Sequence, residues 1–418
     1  MVRRNKNKER KGEECMKSIL KFSKVWMLAL LCVLFLGIGI KSEAAPGTVN
    51  GVKQTRYGVN AVEVSWSDTS GANKYLVELC DNKQFTGTSL KKQETTNNPY
   101  LFENLAAGTT YYVRVSAIGP DGTGMPSAVI EVVTAPIEKV TNLKQTKAEK
   151  KKVTFTWKPV STANAYYVVY GKNTNSVKEK LTTKPTFTIS GSADTTYLVY
   201  VYPVRKSGSF EAVGPNSSDR LLASTLPKKI TSVKMRPGKG VNIGNSTMYF
   251  SWGGSNAADG YEYQIYGYNN KKLLSKTTSS NSLRLTSSKL KSQFVKIKVR
   301  AYFKMGKTKK VGAWSDWVWV AKGPAKTNAK LVGRYASEGF RLSWSKVKGA
   351  NTYDVYVSRS ARSGYKKVAT VKGTNCTVTK FKGASITLGD YYYYIVAKKK
   401  VGKKIIKSDY VYDGFTIH

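Results

Sequence analysis

Histidine is almost missing from this 418-residue sequence, which has one, at position 418. A Ser-His-Asp triad and a histidine-based metal site both need a histidine held among other side chains. The 26 acidic residues are scattered, and no pair of them suggests a hydrolase. No glycine-rich loop has the pattern that binds phosphate in nucleotide-binding proteins. We therefore predict no catalytic residue, no metal, no cofactor and no small-molecule substrate, and hence no enzyme.

Cysteine is equally scarce, with four residues in the chain. Cys15 and Cys32 lie near the N-terminus, and Cys80 and Cys376 lie far apart in the rest of the sequence. No stretch of domain length after the N-terminal segment contains two cysteines, so no domain there can close its own disulfide. Apolar stripes at helical spacing are also lacking, which favours sheets over helices.

A tryptophan followed nine residues later by a tyrosine occurs four times. Successive tryptophans of this motif are 91, 95 and 92 residues apart, a period that indicates tandem domains of similar structure. The eight residues are Trp66, Tyr75, Trp157, Tyr166, Trp252, Tyr261, Trp344 and Tyr353. Because tryptophan offers the largest area to bury, we expect these residues to form the core of each domain.

Apolar residues alternate with polar ones before and after each tryptophan, as in Val62, Val64 and Trp66. Several such short strands within about 90 residues predict an antiparallel sandwich of two sheets. A proline opens each unit, where a missing N–H is tolerated. We place the four repeats at residues 45–135, 136–226, 227–323 and 324–418.

The repeats resemble fibronectin type III domains. The first has the tryptophan and tyrosine of that family, and then Leu105 followed by Tyr111 at the expected corner. Repeats 2 and 4 have Tyr197 and Tyr391 at the corner, whereas repeat 3 has Val295 there and repeat 2 has Gly191 at the corner leucine. The resemblance implies an all-β chain of four immunoglobulin-like sandwiches, in which the corner tyrosines are also structural.

Residues 1–44 are typical of a secretory signal peptide. Basic residues precede a short apolar run at positions 26–40, and small residues at Ser42 and Ala44 fit a cleavage site. We expect a secreted, bacterial protein, in which the start codon encodes Met1 or Met16. An uncleaved membrane anchor is the alternative, although the apolar run is short for a membrane span.

The net charge of +43 is unevenly distributed. The N-terminal segment carries +6, and the four repeats carry −1, +8, +16 and +14 in chain order. Such an asymmetry suggests an anionic partner such as a wall polymer or acidic polysaccharide. The alternative is that the charge only keeps the array soluble.

Three tryptophans stand close together near the end of repeat 3. Alternation predicts that Trp317 and Trp319 face outward beside Lys296, Lys298 and Arg300 of the preceding strand. We expect a structural cation–π ladder there, and the alternative is an exposed aromatic platform for sugar rings.

A lysine-rich hairpin is predicted in repeat 4. It either protects a sheet edge from pairing or contributes to a charged binding face. Its candidate ligand-binding residues are Lys398, Lys399, Lys400, Lys403 and Lys404.

These features together predict a non-catalytic binding or spacer protein at the cell envelope, held on anionic cell-wall polymer by its basic repeats. Other surface proteins are further possible partners. The alternative function is that of a carbohydrate-binding accessory or adhesin that uses the tryptophans of repeat 3. Specific nucleic-acid binding is not expected, because no groove-reading helix or single-strand platform is recognisable.

Overall fold

The computed structural model describes residues 44–172, 176–236, 246–291 and 293–418. The predicted signal peptide therefore lies, except for its last residue, outside the described residues. The described residues fall into two compact units, one within residues 44–191 and 196–224, the other within residues 192–195 and 225–418. The first unit contains repeats 1 and 2, and the second contains repeats 3 and 4.

The first unit is built from sixteen described strands, eight in each repeat. In repeat 1 they are β1 (Lys53–Tyr57), β2 (Val62–Ser65), β3 (Lys74–Cys80), β4 (Lys91–Thr95), β5 (Tyr100–Phe102), β6 (Thr110–Gly119), β7 (Gly122–Thr123) and β8 (Ile130–Val133). In repeat 2 they are β9 (Thr141–Ala148), β10 (Lys152–Lys158), β11 (Ala165–Gly171), β12 (Lys178–Thr182), β13 (Thr186–Ser190), β14 (Thr196–Ser207), β15 (Phe210–Val213) and β16 (Leu221–Ser224).

The second unit repeats this arrangement and adds two short 3₁₀ helices, Ser288–Leu290 and Ala336–Glu338. In repeat 3 the strands are β17 (Lys234–Arg236), β18 (Thr247–Ser251), β19 (Gly260–Gly267), β20 (Lys272–Thr278), β21 (Ser282–Thr286), β22 (Phe294–Met305), β23 (Thr308–Val311) and β24 (Val318–Ala321). In repeat 4 they are β25 (Thr327–Leu331), β26 (Phe340–Trp344), β27 (Thr352–Ser358), β28 (Lys366–Val371), β29 (Asn375–Val378), β30 (Lys380–Phe381), β31 (Ala384–Ser385), β32 (Gly389–Val401), β33 (Lys404–Lys407) and β34 (Asp413–Ile417).

All four repeats have the same pair of antiparallel sheets. In repeat 4 the smaller sheet has the order β25-β26-β29, and the larger has the order β28-β27-β32-β33 with β34 also paired to β32. The corresponding strands of the other repeats are ordered in the same way. The predicted all-β class with repeated two-sheet sandwiches is confirmed.

The repeated tryptophan and tyrosine meet in the core of every repeat. The ring centroids of the pair lie 5.2 Å apart in repeat 1, 5.3 Å in repeat 2, 5.6 Å in repeat 3 and 5.5 Å in repeat 4. Each tyrosine hydroxyl also accepts a hydrogen bond from a backbone N–H six residues earlier, at Thr69, Val160, Ser255 and Val347. One aromatic pair thus packs the two sheets together and fixes the adjacent loop.

The corner tyrosines of repeats 1 and 4 each bind a nearby backbone N–H through the side-chain hydroxyl. The Tyr111 hydroxyl accepts from the Ala106 N–H at 2.8 Å, and the Tyr391 hydroxyl accepts from the Thr387 N–H at 3.0 Å. In repeat 2 the Tyr197 hydroxyl lies where a Cβ on Gly191 would stand, so glycine replaces the corner leucine for steric reasons. Repeat 3 has no corner tyrosine and instead buries Leu290 completely.

A buried serine in each repeat was not anticipated from the sequence. Each accepts a hydrogen bond at its side chain from a strand N–H and donates its own N–H to the carbonyl of the same strand residue. The four pairs are Ser127 with Val115, Ser217 with Val201, Ser315 with Val299, and Ser408 with Ala397. These serines satisfy buried backbone groups beside the last strand.

Candidate functional site

The outer face of β22 carries three cations because strand residues alternate between the two faces of a sheet. Val295, Ile297 and Val299 are fully buried, which leaves Lys296, Lys298 and Arg300 on the outside. In the neighbouring strand Val320 pairs with Val295, and Trp319 pairs with Lys296. The cations of one strand therefore stand beside the tryptophans of the other.

Cations and rings alternate along this face and form a ladder. The charged groups and ring centroids are separated by 4.4 Å for Arg300–Trp314, 4.5 Å for Lys298–Trp314, 4.8 Å for Lys298–Trp317, 4.7 Å for Lys296–Trp317 and 5.7 Å for Lys296–Trp319. These separations are within the range of favourable cation–π contacts. Burial, followed by the charges of Arg300, Lys272 and Lys296, lowers the pKa of Lys298.

Trp319 is not the exposed residue that strand alternation suggests. Its partly buried ring packs against a core cluster formed by residues of repeats 3 and 4, and the Lys399 ammonium lies 5.2 Å from its centroid. The ladder thus continues from repeat 3 to Lys399 of repeat 4. Trp319 is therefore less accessible than strand alternation alone suggests, because a strand pattern does not reveal which residues a neighbouring domain contacts.

Trp317 remains partly accessible, with 38% of its surface exposed. Lys296 and Lys298 flank its ring, and Tyr266 contacts it edge-on with a centroid distance of 5.1 Å. The faces that would stack on a sugar are therefore already in contact with protein cations. This geometry favours the structural ladder over the sugar platform.

The lysine-rich hairpin of repeat 4 is formed by β32 and β33. Lys400, Lys403 and Lys404 are exposed there, as a binding face requires. Lys398 is different, because its ammonium forms an ion pair at 2.7 Å with Asp354, whose side chain is 5% exposed. Lys398 is therefore engaged within repeat 4 and Lys399 contacts Trp319 of repeat 3, whereas Lys400, Lys403 and Lys404 are exposed.

The Lys398–Asp354 ion pair predicts a pH-dependent stability. Burial would raise the pKa of Asp354, but hydrogen bonds from Lys398 and Thr370 outweigh it and hold that pKa below its ordinary value of 3.8. The pair therefore stabilises repeat 4 above this value, and the contribution is lost as the pH falls through the lowered pKa. We expect Asp354→Asn to reduce the free energy of unfolding by roughly 2 kcal/mol at pH 7.

Urea unfolding of the wild type and Asp354→Asn at several pH values measures this contribution. The difference between the two proteins should shrink when the pH is lowered below 3.8. A difference that is constant between pH 7 and pH 2 would contradict the assignment of this ion pair.

A cluster of five tyrosines lies on the outer face of the larger sheet of repeat 4. Tyr394 stacks between two of them, with centroid distances of 4.6 Å to Tyr356 and 4.1 Å to Tyr410, while Tyr365 and Tyr412 close the cluster. Burial and then neighbouring tyrosines raise the pKa of Tyr394 to about 12, so its hydroxyl stays protonated at neutral pH. The runs YYYY and YVY were the available sequence signal, but they did not reveal that distant strands meet there.

Within the described part of the chain, no three histidine, cysteine or acidic side chains are grouped as a metal site would require. The described residues also contain no helix with the length and apolar character needed to cross a bilayer.

Comparisons with known proteins identify the fold family of the first repeat directly. Residues 45–133 match the family model "Fibronectin type III domain". The mouse receptor-type tyrosine-protein phosphatase eta is 22% identical over 226 residues, which are 53% of this chain and 17% of that protein. This chain therefore spans less than a fifth of that relative's length.

Among solved structures, the crystal structure of chicken CNTN1 FN1-FN3 domains is 19% identical and covers 66% of this chain and 99% of that one, with a TM-score of 0.27. Repeats of this family are typically non-catalytic and occur in extracellular and surface proteins. The chain therefore contains a fibronectin type III domain at residues 45–133, and the other repeats share its paired sheets and its aromatic core.

Proposed function

We propose that this chain is a secreted or cell-envelope-associated, non-catalytic binding or spacer protein. Its basic repeats hold it on an anionic cell-wall polymer through many weak contacts. The observation that carries the proposal is the excess of cations in repeats 3 and 4, which have net charges of +16 and +14. Polyvalent attraction of this kind is strong at low salt and is screened within about 8 Å at physiological ionic strength.

Internal ion pairs neutralise only a small part of this charge. Glu262 forms ion pairs with Arg300 and Lys309, with N–O distances of 2.7 and 2.9 Å. Asp409 forms an ion pair with Lys322 at 2.7 Å. Each of the two repeats has nineteen lysines and arginines but at most five acids. Most of their cations therefore have no carboxylate of their own repeat to pair with, which supports an external anionic partner.

Fractionation of cells that produce the protein tests this function. We expect the protein in the envelope fraction at low salt and its release into solution when isolated walls are washed with rising sodium chloride. Neutral detergent at low salt, the matched control, should release little. Retention unchanged between low and molar salt would contradict electrostatic attachment, and release by detergent alone would indicate a membrane anchor.

The carbohydrate-binding alternative has weaker support. It requires Trp317 and Trp319 to present their rings together, but Trp319 is partly buried beside Lys399 and cations flank Trp317. We therefore assign the ladder a structural role.

A further inference from the structure

The smaller sheet of repeat 4 presents a basic cleft on its outer face. Leu342, Cys376 and Val378 point into the core, so the residues between them point outward. The cleft is lined by Lys326, Asn328, Lys330, Arg341, Ser343 and Asn375, among others. All six are exposed. None of the six belongs to the binding residues that the sequence pattern predicts.

Two of these cations face each other across adjacent strands. Lys330 of β25 lies directly opposite Arg341 of β26 in the antiparallel register. Like charges in this position repel and destabilise the pair of strands. Among the residues that the structure describes, no carboxylate lies within 4.0 Å of the charged groups of Lys326, Lys330 or Arg341. No carboxylate of the described residues therefore offsets the repulsion between Lys330 and Arg341.

Repeat 1 has a pair of opposite charges at the corresponding position. Glu63 stands three residues before Trp66, as Arg341 stands three residues before Trp344. It lies opposite Arg56 in the equivalent pair of strands, next to a register shift between Gln54 and Arg56, and the charged groups of Arg56 and Glu63 approach to 3.7 Å. A cross-strand pair of opposite sign is thus compatible with this sheet, whereas repeat 4 places two cations there.

The neutral residues of the cleft extend its capacity to donate hydrogen bonds. Asn328 is opposite Ser343, and Ser343 is in turn opposite Asn375, so amides and a hydroxyl form a row beside the two cations. The cleft thus offers the guanidinium of Arg341, the ammonium of Lys330 and several neutral hydrogen-bond donors. Together they can bind an oxyanion with several acceptor oxygens, such as phosphate. Residues two apart on a strand are separated by about 6.6 Å, so the cleft can meet successive charges of an extended polymer.

The aromatic residue of the cleft is not available for stacking. Trp344 contributes to the lining but is only 7% exposed. Proteins that bind single-stranded nucleic acids without sequence preference commonly stack the bases on exposed aromatic rings. Attraction in this cleft therefore depends on charge and hydrogen bonds, which favours a polymer whose phosphates alternate with small polar units.

We propose that this cleft is a binding site for phosphodiester groups of an anionic polymer. The inference rests on the proposed function and adds to it a defined site in repeat 4. The bound phosphate lies between Lys330 and Arg341 and removes their repulsion. The remaining exposed lysines of the array contribute the non-specific part of the attraction.

The test compares two charge reversals of equal size in the full-length chain. Arg341→Glu recreates the arrangement of Glu63 in repeat 1, and Lys404→Glu changes the exposed hairpin by the same charge. The probe is a synthetic poly(glycerol phosphate) oligomer, and its binding is measured by calorimetry. We expect Arg341→Glu to weaken binding at least about twentyfold and Lys404→Glu, which changes only the diffuse attraction, to weaken it no more than about fivefold. Arg341→Gln, which makes no new ion pair, should also weaken binding clearly more than Lys404→Glu does.

Thermal unfolding without the probe gives a second measurement. Arg341→Glu should unfold at the same temperature as the wild type or a higher one, because a favourable pair with Lys330 replaces a repulsive one. If Arg341→Glu lowered the unfolding temperature and left binding of the oligomer unchanged, the proposed binding site would be contradicted.

The remaining outcomes separate the site from the proposed function. Equal losses from Arg341→Glu and Lys404→Glu would overturn the cleft but leave a diffuse electrostatic attachment standing, provided that salt still releases the protein from walls. Absence of oligomer binding by the wild type would overturn the cleft in the same way. Equal or tighter binding of polygalacturonate or single-stranded DNA with the same number of charges would overturn the assignment to a small-unit phosphodiester polymer.

Discussion

Replacing Trp344 by alanine should remove about 3–5 kcal/mol from the stability of repeat 4. The indole is 7% exposed and packs on Tyr353 with a centroid distance of 5.5 Å. Its ring nitrogen has no hydrogen-bond partner among the described residues, so the ring stabilises the repeat through buried area and not through a polar contact. Since the free energy of unfolding of small domains is about 5–15 kcal/mol, such a loss would leave repeat 4 only marginally stable.

Urea unfolding monitored by tryptophan fluorescence measures this effect. Trp317→Ala is the matched control, since it removes the same side chain from a half-exposed position on the ladder of repeat 3. We expect the control to cost at most about 1–2 kcal/mol, the scale of a cation–π contact. Equal costs at the two positions would show that Trp344 is not the central packing residue of its repeat.

Neutralising the exposed lysines of the repeat 4 hairpin should reduce the affinity for an anionic polymer. In the triple substitution Lys400→Gln, Lys403→Gln and Lys404→Gln, three exposed positive charges are lost from one surface. We expect at least a tenfold loss of affinity for poly(glycerol phosphate) at low salt, because each cation contributes to the polyvalent attraction. Binding of an immobilised oligomer, followed by surface plasmon resonance, measures the change.

The control removes three lysines from repeat 1, at Lys53, Lys74 and Lys83. Repeat 1 has a net charge of −1, and Lys74 and Lys83 are already paired with Glu94 and Glu131. The control should bind the polymer within about twofold of the wild type. If both triple variants lost the same affinity, the location of the charge would not matter, and the proposed role of the basic repeats would be wrong.

The repeated architecture could be predicted because it depends on local patterns. The period of the tryptophans and the alternation around Val62, Val64 and Trp66 identify strands with one buried face, which is sufficient for a two-sheet fold. The interleaving of Lys296 and Lys298 with the tryptophans was also accessible, because it needs only the pairing of two adjacent strands.

Contacts between distant segments were not accessible in this way. Trp319 is contacted by a residue of repeat 4, and Lys398 is paired with Asp354, which lies on a different strand. The basic cleft depends on the register that brings Lys330 opposite Arg341. A lysine-rich run predicts charge, but the register and the packing of neighbouring domains decide which of its charges remain available.

The salt dependence of polymer binding tests the central claim most directly. The dissociation constant of the full-length chain for poly(glycerol phosphate) is measured between 50 and 500 mM sodium chloride, with neutral dextran as the control polymer. We predict that its logarithm rises steeply and linearly with the logarithm of the salt concentration, as in counterion release from polyanions, and that dextran does not bind. Binding that is independent of salt, or that is equally strong for dextran, would contradict electrostatic attachment through the basic repeats.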